Sequence, residues 1–141
     1  MIGKNNILNI RTSSAFNWNG QTGATRGFCD FESLEMCRRA GAYLLMRSYR
    51  KAGANTLDKI ICRWAPTNEN DTASYLHFVC KTTGFKASQK MYFDSDYACV
   101  LAAMEIIEDG IAGPRRVTHY EAAKRAYMNI IETYKLKRYE D

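Results

Sequence analysis

From residue 33 onward the chain repeats one arrangement. A side chain able to cap a helix is followed by apolar residues at helical spacing, and then by glycine or proline. Ser33 opens the first such stretch, with Leu34, Cys37, Ala40, Leu44, Leu45 and Tyr49 as its apolar positions, running to about Lys51 and stopped by Gly53. Gly41 lies among them; it lowers helix propensity but lets a neighbour approach closely. Asn55 or Thr56 opens a second stretch to about Arg63, with Leu57, Ile60, Ile61 and Trp64 inward and Pro66 just beyond. Asn70 or Asp71 caps a third through about Thr82, with Tyr75, Leu76, Val79 and Cys80 inward and Gly84 as its stop.

A fourth helix is predicted from Asp94 or Ser95, through Cys99, Leu101, Ala102, Ile106 and Ile107, to Gly110. Gly113-Pro114 breaks the chain, and Thr118 to Glu121 has capping-box spacing, so the last helix is predicted from there to about Tyr134. The first thirty residues differ. NWNGQTGATRG is turn-forming, and FCDF alternates as a short strand does. The expected fold is mainly α (α+β), with a small irregular or β region near the N-terminus. With no internal sequence repeat and no linker in view, residues 1–141 are expected to form a single domain.

Several classes of function are disfavoured. No apolar run approaches the roughly 20 residues of a membrane helix, and the N-terminal MIGKNNILNIR lacks a secretory apolar core. Membrane insertion and a signal peptide are therefore not expected. The final KLKRYED is the one segment whose composition suits disorder. Five cysteines without a CxxC pair argue against a zinc cluster or a disulfide framework, and read as small buried apolar residues. The two histidines, His77 and His119, sit in no metal-ligand motif, and GQTGATRG lacks the Lys-Ser/Thr of a phosphate loop. No metal and no cofactor are expected.

Two glutamates stand out against this background. Glu69 begins the polar turn after Trp64-Ala65-Pro66, where a carboxylate is favoured by the following helix dipole. Glu108 ends the helix in LAAMEIIEDG, where the dipole disfavours it. Either could donate a proton in glycosidic cleavage, a reaction that asks for a carboxylic acid in an apolar setting. Charge adds a further constraint. Residues 1–51 hold eight Lys or Arg against three acids, a basic face suited to a polyanion.

The order NNILNIR, WNGQ, GFCDFESLE, a basic helix and RWAPTNENDTASY resembles phage and prophage lysozyme-like virion-associated proteins. It is also similar to flagellar and autolysin-type N-acetylglucosaminidases and lytic transglycosylases. The pieces that carry the resemblance are Asn5-Asn6 with Leu8 to Arg11, Trp18-Asn19-Gly20, Phe28 to Ser33, and Asn70-Asp71-Thr72 with Tyr75. In those enzymes the catalytic Glu closes a helix just before the Asn-Asn segment. Here the similar phrase, AMEIIEDG, lies at residues 103–110, with Met104 and Asp109 where Gln and Ser would stand. The resemblance therefore implies a circularly permuted lysozyme-like domain.

On that reading Glu108 is the general acid, with Glu69 or Asp71 across the cleft steadying the cationic transition state. Asn6, Trp18, Gln21, Thr72 and Tyr75 form the substrate-binding set. The implied substrate is peptidoglycan, and other virion proteins are implied partners. The protein would be made in the bacterial cytoplasm and reach the wall by lysis or virion delivery. Two alternatives stand beside it. One is a non-catalytic phage structural or assembly protein of lysozyme-like shape. The other is a nucleic-acid-binding module using Arg38, Arg39, Arg47, Arg50 and Lys51, although no nucleic-acid motif accompanies them.

Overall fold

The structure, a computed structural model, describes residues 1–141. A hairpin of β1 (Gln21–Thr25) and β2 (Phe28–Phe31) is followed by α1 (Leu34–Tyr43), which continues as a π-helical stretch, Leu44–Tyr49. Then come α2 (Leu57–Trp64), α3 (Thr72–Thr83), α4 (Asp94–Glu108) and α5 (Arg115–Thr133). This is the mainly helical architecture with a small N-terminal β region that the sequence predicts.

α4 is the element around which the others are arranged. Tyr97, Ala98 and every residue from Val100 to Ile106 are buried, so the helix is covered on all sides, as its nearly unbroken apolar sequence requires. α5 packs along it most extensively, and α3 and α1 cover its other flanks. Asp96 anchors its start by accepting from the Tyr92 and Phe93 N–H groups, at 3.0 and 2.9 Å. The N-terminal segment crosses the same core. Leu8 is wholly buried, and a Cβ built on Gly41 would lie 2.4 Å from its Cδ1. Gly41 thus provides the close approach its place in the helix suggests, and Leu8 contributes about 2 kcal/mol by burial.

Five expectations need correction. Residues 21–25 form a strand rather than turns: Arg26 and Gly27 both take positive φ, 49° and 83°, and fold the chain back on β2. The last helix starts at Arg115, because Pro114 presets its first turn; Thr118 lies inside it, donating to the Arg115 carbonyl instead of capping. The first helix widens to π geometry after Tyr43. The tail is docked, with Tyr139 N–H on the Met46 carbonyl at 2.8 Å and buried Arg50 gripping the Tyr139 carbonyl and Asp141. The cysteines are all free thiols, yet only Cys29 and Cys37 are buried, while Cys62 is exposed on α2. Burial pushes the Cys37 thiol up to about 12.

Candidate functional site

Glu108 is the last residue of α4, where helical carbonyls run out of partners and the dipole is negative. Its surroundings offset both penalties. Asn9 Nδ2 donates to the Glu108 backbone carbonyl at 3.0 Å and to Oε1 at 3.1 Å. Trp64 Nε1 donates to Oε2 at 3.1 Å, and the Tyr75 hydroxyl to the same oxygen at 2.8 Å. All three donors are neutral, and no Lys, Arg or His lies within ion-pair distance of the carboxylate. Burial, and then the Glu108 charge, raise the Tyr75 phenol well above its ordinary range, so it remains a donor.

The carboxylate faces a cleft of about 370 Å³. One wall is the turn between α2 and α3, contributing Trp64, Ala65, Glu69 and Asn70. The other comes from the N-terminal segment and the hairpin, with Asn9, Ile10, Arg11, Phe16, Trp18 and Phe28. Leu44 and Tyr49 of the π-helical stretch complete the lining. Extra-wide helical turns often accompany functional sites because they re-aim side chains. Here the stretch presents Leu44 to the cleft while Leu45 and Met46 stay buried in the core.

The turn owes its shape to its sequence. Pro66 follows the helix end, the Thr72 hydroxyl donates to the Ala65 carbonyl, and Asp71 caps α3 by accepting from Ser74 N–H at 3.1 Å. That hydrogen bond holds the Asp71 carboxyl below its usual range.

Of the residues picked out in the sequence, Glu108, Glu69 and Trp18 line one cleft. Tyr75 lies behind Glu108 as its hydrogen-bond donor. The others sit elsewhere. Asp71 borders a neighbouring cleft with Phe78 and Arg116. Thr72 is buried in the turn. Asn6 is wholly buried, with Nδ2 on the Ile10 and Cys29 carbonyls and Oδ1 accepting from Ile10 N–H, so it holds the N-terminal segment together and offers nothing to a substrate. Gln21 accepts from Trp18 N–H and donates to the Gly23 carbonyl, locking its own loop.

The sequence reading missed Asn9 and Trp64 as partners of the carboxylate. A half-buried tryptophan must place its N–H somewhere, and a helix-ending glutamate must find donors; that pairing was the available signal. It also missed a second, wholly buried carboxylate. Glu105 accepts from Arg38 Nε and Nη2 at 2.8 and 3.0 Å and meets His119 Nε2 at 2.9 Å, joining α1, α4 and α5. No group of three or more His, Cys, Asp or Glu side chains is placed to hold a metal ion. No helix is long and apolar enough to cross a membrane.

No protein-family model matches the sequence. Protein P5 of Pseudoalteromonas phage PM2 is 37% identical over 110 residues, a span covering 75% of this chain and 68% of that protein. The chain belongs to the family of this phage protein. Membership in the P5 family agrees with the phage kinship that the order of motifs implies. The name P5 assigns no activity, so what the Glu108 cleft does must be argued from its chemistry.

Proposed function

We propose that this P5-family protein cuts the glycan strand of peptidoglycan, as a lysozyme, glucosaminidase or lytic transglycosylase, with Glu108 as general acid. The observation that carries the reading is a carboxylate at a cleft, fixed from three directions by neutral donors, with a second carboxylate, Glu69, in the same lining. Trp64 and Tyr75 occupy both accepting positions of Oε2. Asn9 takes one on Oε1, which leaves that oxygen's remaining lone pair open to a transferable proton. Protonation of the leaving oxygen from Oε1 would build positive charge on the sugar ring, which Glu69, in the same lining, would steady or meet with an oriented water. Trp18 supplies an apolar ring for a sugar face.

The contact between Asn9 and the end of α4 also supports the permuted arrangement, since it brings the Asn-rich segment beside the helix-ending glutamate. Asp71, Thr72 and Tyr75 then act as positioning residues, the first two for the turn that bears Glu69 and the third for Glu108. On this reading the protein meets the wall by lysis or virion delivery, with other virion proteins as partners. Of the five basic residues available to a nucleic-acid module, Arg38 is committed to Glu105 and Arg50 to the tail, which weakens that alternative.

A second reading has its own support. Glu108 joins α2, α3, α4 and the N-terminal segment, so it also serves as a structural acceptor in a non-catalytic virion protein. Zymography on purified walls decides between the two. Under the first reading the parent clears the gel, and Glu108→Gln loses at least about a hundredfold of that activity while keeping its circular dichroism. Full lytic activity in a folded Glu108→Gln overturns it. A folded parent that clears nothing, yet is incorporated into particles, establishes the second.

A further inference from the structure

Beyond Trp18 the cleft does not end. Phe16 and Trp18 stack face to face, with centroids 4.5 Å apart and planes 5° from parallel, and Tyr43 meets both edge-on at 6.3 and 5.9 Å. These rings line two further depressions. One, of about 320 Å³, holds Trp18, Arg39 and Tyr43; the other, of about 240 Å³, holds Phe16, Tyr43, Arg47 and Lys51. Neither contains an acid.

Arg39, Tyr43, Arg47 and Lys51 recur every fourth residue along α1 and its π-helical continuation, so they form one stripe. None of the three cations has a carboxylate within 4.0 Å; each lies over a tyrosine ring instead, Arg39 on Tyr134 and the other two on Tyr139. Arg38, one residue from the stripe, shows the contrast, being paired with Glu105.

We propose that the glycan strand leaves the Glu108 cleft across the Phe16–Trp18 stack, and that Arg39, Arg47 and Lys51 bind the carboxylates on its peptide substituents. The inference rests on peptidoglycan being the substrate of the Glu108 cleft. It gives the basic stripe a task that scattered surface charge lacks, since a strand with acidic branches needs apolar ring faces and cations side by side. A phosphodiester chain fits less well. The stacked pair is already closed to an inserted base, and the tract opens into a cleft that carries two carboxylates.

The test separates binding from cleavage by using Glu108→Gln as the parent. Its sedimentation with purified sacculi, and with glycan strands stripped of peptide by an amidase and then amidated at the lactyl carboxylates this cleavage exposes, is compared with that of the same protein carrying Arg39→Gln, Arg47→Gln and Lys51→Gln. Three surface charge contacts, half-buried at Arg39 and Arg47 and exposed at Lys51, together predict about a tenfold weaker affinity for sacculi. Little change is expected on stripped strands, and Arg39→Lys with Arg47→Lys should retain most of the affinity. Thermal melts confirm that each variant folds.

Equal binding to sacculi overturns the proposal. So does an equal loss on stripped strands, or a loss seen with duplex DNA but not with sacculi. If the wild type clears no wall yet the tenfold difference appears, the catalytic reading falls and the stripe stands. If lysis depends on Glu108 and no difference appears, the stripe falls and catalysis stands.

Discussion

Asn9 and Glu108, separated by 99 positions, are joined twice through a single amide nitrogen, which reaches both the backbone carbonyl and Oε1 of the glutamate. Asn9 holds φ at 53°, a conformation asparagine tolerates better than most side chains. The backbone at this position is therefore shaped to deliver that amide. Asn9→Gly keeps the backbone accessible and removes only the amide. We expect it to lower kcat by about a hundredfold with a smaller change in KM, because the carboxylate loses its fix on Oε1. Steady-state kinetics on solubilised glycan strands checks this. A drop in melting temperature with unchanged kcat would assign Asn9 a structural role alone.

Tyr75 gives a prediction on the alkaline side. Its phenol is raised by burial and then by the Glu108 charge, so the folded state holds the proton more tightly than the unfolded chain, whose tyrosines ionise near pH 10. The stabilising contribution is complete below about pH 10 and is lost as pH rises from there toward the folded value. Tyr75→Phe should flatten that part of the alkaline stability curve. Near neutral pH it should cost about 1 kcal/mol for the lost hydrogen bond, read from urea melts at several pH values.

The helices were legible because cap, stripe and stop agree locally: Ser33, Thr56 and Asp71 all prove to be N-cap residues, and Gly84 ends α3 with φ of 79°. The π-helical stretch was not legible. Its buried residues, Leu45 and Met46, follow buried Ala42 by three and four positions, the spacing an ordinary helix also gives. β1 carries mostly exposed residues, so no alternation marks it; its partner and the Arg26-Gly27 turn define it instead. At the site, the sequence singled out Glu108 from its unfavourable place at a helix end. It could not reveal which donors compensate, because Asn9, Trp64 and Tyr75 converge only through packing. Asn6 misled for the complementary reason, since an asparagine wholly satisfied by backbone groups looks the same in sequence as one facing a ligand.

Asp71 belongs to the turn, and its variants should show that. Its carboxyl is lowered by accepting from the Ser74 backbone N–H, then from the Ser74 hydroxyl, so its contribution is present above about pH 4 and is lost as pH falls through the folded value. Asp71→Ala should reduce the melting temperature by a few degrees at neutral pH and by less in acid. Asp71→Asn, still a good cap, should recover most of the difference. Lytic activity should fall only as far as the turn loosens. A loss in Asp71→Asn as deep as that of Glu108→Gln would instead place Asp71 in the chemistry.

Glu105 ties three helices together. Its side chain is wholly buried, and it answers Arg38 with two hydrogen bonds from α1 and His119 with one from α5. Removing one member of such a set leaves the others unpaired in a poorly solvated place, which costs more than the intact pair contributes. Glu105→Ala should therefore destabilise by about 3–5 kcal/mol in urea denaturation, a large share of what a chain this size possesses. Replacing both partners, Glu105→Leu with Arg38→Met, removes the stranded guanidinium and should recover most of that loss. If the double variant is no more stable than Glu105→Ala, the penalty comes from packing around α4 rather than from the unpaired charge. Because Glu105 and Glu108 lie three residues apart on α4, the double variant also tests whether the Glu108 cleft survives without the ionic network behind it: wall clearing should persist once stability is restored.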